Sequence, residues 1–442
     1  MNLIGKRSDK NKGAKVLFCI YLSIIIFVRL IHITDIQGPM IFYDEIGYWG
    51  HAANLAGLPW TKAEPAWYSY GYSLLLLPLF SITHNMEQLY QYSIIINVFL
   101  SIIGFCASIE IAKAIYPEGK LTFRITIAFI AACYSSYIFQ SQIGWAETFI
   151  YVWFLIVLLS CSYFLKTRNI MSLVLFSFNI SFLYIIHNRT LPVIIAFFML
   201  LFILLWLNQI SYKSVLIALL ILLTIMIINH YMKIWLSQLM WGEANAFIGN
   251  DLRSNILKLV RLDVFELFSD IFISMIGKMW YLLASTFLFA FWGALYLFKE
   301  IIKDYKYKKW DNRSYFFIFC LLCILGVFAV TTLSMLPSQE RIDFLFYGRY
   351  SDMIAGILII FGGVYLEKNK ELFYIQSERN IAFLIFIITG LIVNYWTVPL
   401  IGKSGFNVVC VPGIMFEEKL SNTLNITFVS ALIAYLVLFL IL

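Results

Sequence analysis

The sequence predicts an all-α polytopic membrane protein that forms one transmembrane domain over residues 1–442. Hydrophobic residues make up 62% of the chain and charged residues only 13%, whereas ordinary soluble domains carry about 25% charge. The mean hydropathy is +0.84. The charges fall in short clusters between apolar runs of roughly 17–25 residues, which is the length that a helix needs to cross a bilayer. These observations exclude a soluble globular domain.

The apolar runs predict about twelve membrane-spanning helices, with outer loops and interfacial helices between them. The runs are apolar on every side, which favours helices, because a membrane β-barrel requires alternating polarity along each strand. No stretch rich in glycine, serine or proline separates them, so no separate catalytic domain is expected. The predicted spans are 15–34, 88–112, 122–141, 147–165, 171–186, 190–207, 212–232, 271–297, 314–335, 351–366, 380–398 and 425–442.

The distribution of basic residues predicts the orientation of the chain. With a cytoplasmic N-terminus, most of the 32 lysines and arginines lie in inner segments and most acidic residues lie outside, as the positive-inside rule requires. We therefore expect a multi-pass protein of the inner (plasma) membrane. An N-terminal helical module, 1–232, contains a first outer loop at 35–87. A second outer loop, 233–270, precedes C-terminal helices at 271–442.

The first outer loop contains adjacent carboxylates among aromatic and imidazole rings. The residues that we single out are Asp44, Glu45, Tyr48, His51 and Tyr70. Aromatic residues are common at membrane interfaces, so a solvated acidic pair within an aromatic belt is one interpretation. The other is an acid–base site at the membrane surface.

Two further polar positions follow in the N-terminal module. Glu147 begins a predicted span, where the helix dipole alone favours a negative charge. Arg189 lies between the short spans 171–186 and 190–207, which we expect to be one broken pair of helices. Its long side chain could simply extend to the interface, or it could bind an anion.

The C-terminal helices add basic candidates. Lys278 lies within an apolar helix, where a lysine is costly unless it is paired or faces a wet cavity. Arg341, Arg349 and Tyr350 precede the span at 351–366, and the arginine fork matches phosphate oxygens. The alternative is that Arg341 and Arg349 form surface ion pairs with Asp343 and Asp352, which contribute little.

Together these groups suit the transfer of a sugar from a lipid phosphate. The leaving group is already an anion, so it needs cations rather than an acid. The acceptor hydroxyl needs a base, and one carboxylate within hydrogen-bond reach is enough. Aromatic side chains can stack against the sugar. Direct attack by the acceptor inverts the anomeric carbon.

The arrangement resembles the GT-C superfamily of membrane glycosyltransferases, which includes the protein mannosyltransferases and the aminoarabinose transferases. The resemblance rests on Asp44-Glu45, on Tyr68-Ser69-Tyr70-Gly71-Tyr72, on Trp145-Ala146-Glu147-Thr148-Phe149, on Arg189 and on Tyr347-Gly348-Arg349-Tyr350. The first-loop turn lacks the prolines that are usual in the family.

The resemblance implies specific roles. Asp44 would be the general base, while Glu45 and Glu147 would shape the acceptor and donor pocket. The phosphate-binding candidates are Lys278, Arg189, Arg341 and Arg349. The donor would be a polyprenyl-phosphate sugar, and the acceptor a glycan of the cell envelope such as lipopolysaccharide, a glycolipid or a protein. The chain contains neither an HxxH nor a DxD motif, which favours a metal-independent reaction without a cofactor.

Two other functions use similar residues. A flippase or transporter of lipid-linked glycans predicts charges near the bilayer midplane and symmetry between halves, whereas the charges here lie at one face. A glycan polymerase is typically marked by a large outer loop with arginines, and the loop 233–270 contains Arg253 and Arg261. The acidic pair in the first outer loop favours the transferase.

Overall fold

The computed structural model of the chain describes residues 3–39, 42–58, 69–241, 264–336, 341–369, 374–400, 408–415 and 422–441. Within these ranges the secondary structure consists of helices and contains no β-strand, which confirms the predicted all-α class. The α-helices are α1 (Leu3–Leu30), α2 (Phe42–Leu55), α3 (Gly71–Leu76), α4 (Met86–Ile115), α5 (Leu121–Ala132), α6 (Ser135–Gln140), α7 (Glu147–Thr167), α8 (Ile170–Ile186), α9 (Leu191–Trp206), α10 (Tyr212–Trp241), α11 (Val264–Ser285), α12 (Phe289–Tyr307), α13 (Asn312–Ser334), α14 (Asp352–Lys368), α15 (Tyr374–Thr397) and α16 (Thr423–Ile441).

Eight helical segments in the described residues are long and apolar enough to cross a membrane, so the chain is a multi-pass membrane protein. They are Lys12–Asp35, Met86–Ile115, Glu147–Thr167, Asn188–Trp206, Tyr212–Met240, Val264–Ser285, Asn312–Ser334 and Ser377–Leu400. Four shorter apolar helices accompany them. By length and composition the structure thus provides eight spans, against the twelve that the sequence predicted.

The predicted span 122–141 is two helices. The helix α5 ends at Ala132 and α6 begins at Ser135. Helix ends leave carbonyl groups without partners inside the helix, and Arg29 supplies one here, because its guanidinium donates to the carbonyl oxygen of Ala132 at 2.7 Å. Arg29 is fully buried. The break is followed by the short helix α6, which contains the polar residues Ser135, Ser136 and Gln140.

The predicted span 271–297 is also broken, at residues 286–288. Phe287 and Leu288 adopt left-handed backbone conformations, with φ of 48° and 66°. Non-glycine residues rarely occupy this region. The side chain of Thr286 compensates locally, since its hydroxyl accepts the N–H of Ala290 at 3.0 Å. The sequence has no glycine or proline at this bend. Hydropathy therefore predicted one span, 271–297, where the structure has the two helices α11 and α12.

The break between α8 and α9 is where the sequence placed it. His187 is extended, with φ of −161° and ψ of 133°, and residues Asn188–Thr190 form a 3-10 turn. Pro192 lies in the first turn of α9, where its missing N–H is not needed. The imidazole Nδ1 of His187 accepts the N–H of Arg189 at 3.2 Å. Arg189 therefore projects from a turn between two helices.

The bundle has two recognisable ends. At one end α7 begins with Glu147 and α14 begins with Asp352. At the other end Arg168, just after α7, bonds to Asn312 at the start of α13 at 3.0 Å. Glu147 and Asp352 therefore lie at the first end.

The helices α12 and α14 cross in direct backbone contact. A side chain added at Gly293 would overlap the carbonyl of Leu358, and one added at Gly362 would overlap the carbonyl of Phe289. Glycine is needed at both positions because the helix backbones touch. This crossing fixes α14, whose first turn reaches the polar end of the bundle.

Candidate active site

The loop before α7 is held in place by Glu45, the fourth residue of α2. The Glu45 carboxylate is fully buried and accepts the N–H of Gly144 at 2.9 Å, and it also accepts the hydroxyl of Tyr90. The indole of Trp49, one turn further along α2, donates to the carbonyl oxygen of Gly144 at 3.0 Å. These contacts join the first turn of α2 to the beginning of α7.

Glu147 is the centre of the site. It is the first residue of α7, and its side chain is only 2% exposed. Arg349 donates from Nε to its Oε1 at 2.6 Å, while Arg189 donates from Nη1 to Oε1 at 2.9 Å and from Nη2 to Oε2. Such charge-assisted bonds are the stronger hydrogen bonds in proteins. Two guanidinium groups from distant parts of the chain thus meet at one buried carboxylate.

Aromatic rings hold both guanidinium groups. The Arg349 guanidinium lies 4.0 Å from the ring centroid of Trp145, and that of Arg189 lies 4.6 Å from the ring centroid of Tyr350. A guanidinium over an aromatic face is attracted by the negative face of the ring. Arg189 and Arg349 have side chains 7% and 8% exposed, so they are not surface side chains that extend into solvent.

A small cavity lies beside the two arginines. Glu147, Arg189 and Arg349 line one part of it, and Tyr134, Gln140 and Asp352 line another. The centre of a water molecule can occupy about 10 Å³ of this cavity, which is close to the minimum space that one water molecule requires. A phosphate or a sugar would therefore enter only if side chains around the cavity moved.

Tyr48 and Tyr70 of the first loop are both buried. Tyr48 is buried, with its ring edge-on to that of Tyr72 at 5.9 Å. Tyr70 packs with Ile185 and Leu236, and burial raises its pKa to about 12. Asp44 belongs to the first turn of α2, but its side chain lies outside the described residues.

His51 is buried in α2, three residues beyond Tyr48. Burial lowers the pKa of His51 to about 4, and the charge of Lys233 adds to this decrease. The imidazole is therefore neutral near pH 7 and does not act as a cation there.

Lys278 and Arg341 lie in a different group of contacts. The Lys278 ammonium donates to Ser274 Oγ at 2.7 Å, to the carbonyl oxygen of Met335 at 2.5 Å and to that of Phe344 at 2.6 Å. It thereby connects α11 to the segments on either side of residues 337–340.

The Arg341 guanidinium pairs with buried Asp343, at 2.8 Å from Nε to Oδ1. This contact raises the pKa of Arg341. The partner is the one that the alternative for Arg341 named, but Asp343 is buried, so the contact is not a surface ion pair. The corresponding alternative for Arg349 does not occur, since Arg349 pairs with Glu147 and not with Asp352.

The sequence analysis missed several residues of the cavity wall. Tyr134, Tyr137 and Gln140 come from α6 and the break before it, a stretch assigned to a single span. The signal was available as the polar run Tyr134-Ser135-Ser136-Tyr137, which is unusual within a membrane helix. In the described part of the chain, no three His, Cys, Asp or Glu residues come together as metal ligands.

No protein-family model and no curated protein matches the chain. Among solved structures, it is similar to the oligosaccharyltransferase AglB from Archaeoglobus fulgidus, in complex with an inhibitory peptide and a dolichol-phosphate. The TM-score is 0.50 and the identity 11%, over 96% of this chain and 56% of AglB. The chain has the GT-C fold.

A second similar structure is ArnT from Cupriavidus metallidurans bound to undecaprenyl phosphate. The TM-score is 0.46 and the identity 10%, over 96% of this chain and 77% of ArnT. The chain spans little more than half the length of AglB. At 11% identity the similarity to AglB establishes the fold alone, as the resemblance of the sequence motifs predicted.

Proposed function

We propose that this chain is an inverting glycosyltransferase. It moves a sugar from a polyprenyl-phosphate carrier to a cell-envelope glycan, a glycolipid or a protein. The observation that carries the proposal is the meeting of Arg189 and Arg349 at Glu147, within a GT-C fold and at one end of a membrane bundle. The positive-inside bias supports the outer face of the membrane for this end.

The two arginines supply what the departing phosphate requires. As the bond to the anomeric carbon breaks, negative charge grows on the polyprenyl phosphate, and preorganised donors stabilise it without further rearrangement. Arg189 and Arg349 are already held by Trp145 and Tyr350. A phosphate that reaches them takes over hydrogen bonds that Glu147 now accepts. Lys278 and Arg341 are bonded elsewhere, so we assign the phosphate to Arg189 and Arg349.

Glu147 stabilises the two arginines through its negative charge. Two buried guanidinium groups without a counter-ion would be strongly unfavourable, and the carboxylate provides that counter-ion. Both carboxylate oxygens of Glu147 already accept hydrogen bonds from the two arginines. We therefore assign Glu147 to holding the arginines, and not to deprotonating the acceptor.

The general base in this proposal is Asp44. Its neighbour Glu45 is bonded to Gly144, three residues before Glu147. The backbone of Asp44 is thus close to the loop that begins the arginine site. Asp44 would take the proton of the acceptor hydroxyl as that oxygen attacks the anomeric carbon from the side opposite the phosphate. The new glycosidic bond forms while the bond to the phosphate oxygen breaks.

The experiment is consumption of a panel of radiolabelled polyprenyl-phosphate sugars by the purified protein in nanodiscs, together with candidate acceptors. Asp44→Asn is the matched variant. We expect the wild type to consume one donor and Asp44→Asn to lose activity by at least about a hundredfold, with binding of undecaprenyl phosphate retained. Movement of lipid-linked glycans in proteoliposomes, with no donor consumed, would instead establish a flippase.

A further inference from the structure

A second buried carboxylate, Asp352, lies at the edge of the same cavity. Its Oδ1 accepts the hydroxyls of Tyr134 at 2.8 Å and Tyr281 at 2.9 Å. Its Oδ2 accepts the amide of Gln140 at 2.9 Å and the hydroxyl of Ser136. Each carboxylate oxygen has two acceptor sites, so these four donors fill them. Asp352 has no free acceptor position for a substrate proton, which points to a positioning role.

Tyr281 connects Asp352 to the backbone beside Arg349. The Tyr281 ring lies directly against Gly348, since a side chain added at Gly348 would overlap ring atoms of Tyr281. The Tyr281 hydroxyl donates to Asp352 and accepts the N–H of Gly413 at 2.8 Å. One tyrosine thus contacts residue 348 with its ring and residue 352 with its hydroxyl. We call Tyr281, Gly348 and Asp352 the Tyr281 clasp.

The clasp encloses the segment that carries Arg349. The N–H groups of Gly348 and Arg349 both donate to the carbonyl oxygen of Cys410, at 2.9 and 3.0 Å. The N–H of Asp352 donates to the carbonyl oxygen of Gly348 at 3.0 Å. The backbone on both sides of Arg349 is therefore fixed to other elements, independently of the bond between its side chain and Glu147.

We propose that the Tyr281 clasp is a positioning device for Arg349, which keeps its guanidinium aimed into the cavity when a phosphate takes it from Glu147. The inference rests on the proposed function, since it assigns Arg349 to the donor phosphate. Preorganised groups bind more tightly because less conformational freedom is lost on binding. Weakening the clasp should therefore affect the lipid-phosphate donor and leave the acceptor unaffected.

The first test variant is Tyr281→Phe, which retains the ring on Gly348 and removes only the hydroxyl. We expect the KM for the donor and the Kd for undecaprenyl phosphate to rise about five- to tenfold, because the change removes the hydrogen bonds of that hydroxyl to Asp352 and Gly413. The KM for the acceptor should stay within about twofold of wild type. The matched control is Tyr296→Phe, a buried tyrosine whose hydroxyl accepts from Arg313 and Lys368 away from the cavity. Its donor KM should not change.

A double-mutant cycle separates positioning from a general loss of stability. If the clasp acts through Arg349, Tyr281→Phe has no further effect on donor KM in an Arg349→Gln background. A structural effect would persist there, and that additivity would overturn the proposal, as would an unchanged donor KM in Tyr281→Phe. Asp352→Asn, which retains the shape of the side chain, repeats the cycle if Tyr281→Phe does not fold. A wild-type protein that consumes no donor refutes the proposed transferase itself, which is a distinct result.

Discussion

The guanidinium of Arg349 lies 4.0 Å from the ring centroid of Trp145. These residues are more than two hundred positions apart, and Trp145 lies two residues before the carboxylate that Arg349 also contacts. The arginine is therefore held on its flat face by a ring and at its edge by Glu147. A planar, charged group is needed to satisfy both contacts, and arginine alone among the side chains provides it.

Replacement of Arg349 by lysine tests whether this planar geometry matters. Lysine retains the charge but forms neither the fork nor the stacked contact in the same way. We expect Arg349→Lys to weaken binding of undecaprenyl phosphate by about 1.5–3 kcal/mol, which is roughly ten- to hundredfold. Titration of the purified protein in nanodiscs measures this. If Arg349→Lys and wild type bind undecaprenyl phosphate with equal affinity, Arg349 does not belong to the phosphate site.

Replacement of Glu147 by glutamine removes a negative charge that two buried arginines contact. The loss of one partner of a buried ion pair lowers stability by about 3–5 kcal/mol. A bound phosphate supplies a negative charge, so undecaprenyl phosphate should raise the melting temperature of Glu147→Gln more than that of wild type. Thermal unfolding with and without the lipid measures the difference.

A control for the Glu147 experiment is Glu300→Gln, which removes the partner of Arg313 at 2.7 Å. This pair lies away from the cavity, so the lipid should stabilise Glu300→Gln only as much as wild type. Equal stabilisation of Glu147→Gln and Glu300→Gln would contradict a phosphate site at the two arginines.

Replacement of Lys278 by methionine distinguishes a structural lysine from one that binds phosphate. The change leaves the carbonyl oxygens of Met335 and Phe344 without their present donor, and unsatisfied buried groups cost about 1–3 kcal/mol each. We expect a lower melting temperature and a smaller effect on the Kd for undecaprenyl phosphate than Arg349→Lys produces. An effect on that Kd larger than that of Arg349→Lys would instead support the phosphate-binding role that the sequence analysis gave to Lys278.

The pKa of His51 predicts a pH dependence of stability. The ordinary value is 6.5 and the folded value is about 4. Between them the unfolded chain binds a proton that the folded protein does not bind. The free energy of unfolding therefore falls as the pH drops below about 6.5 and continues to fall towards pH 4. At pH 5 the loss from His51 amounts to about 2 kcal/mol.

His51→Gln should remove this contribution. The expected result is a smaller drop in melting temperature between pH 7.5 and pH 5 than wild type shows. Identical drops in the two proteins would mean that His51 is protonated in the folded state as readily as in the unfolded chain.

The fold class and several residues of the candidate site could be predicted from the sequence. Apolar runs and charged clusters predicted a helical membrane protein, and short motifs indicated Glu147, Arg189 and Arg349 as polar groups at one end. Periodicity could not reveal that Glu147 pairs with Arg189 and Arg349, because that contact depends on how α7, α9 and α14 pack. Asp352 was grouped with Arg349 by proximity in sequence, whereas its four donors come from distant elements.

The errors in the spans have a common physical cause. Hydropathy detects how apolar a segment is and is insensitive to a bend within it. The bend after α5 is stabilised by Arg29, and the bend after α11 by the hydroxyl of Thr286. Each bend depends on a single polar side chain, which has little effect on a hydropathy average over about twenty residues.

The glycine crossing of α12 and α14 limits which parts of the protein can rearrange when substrates enter. The backbones touch at Gly293 and Gly362 and cannot slide past each other without collision. We therefore expect α12 and α14 to move together as one rigid unit. Arg349 lies just before the first residue of α14, whereas Arg189 belongs to the turn between α8 and α9. If the cavity opens for a bulky carrier, we expect the side that carries Arg189 to move and the side that carries Arg349 to stay in place.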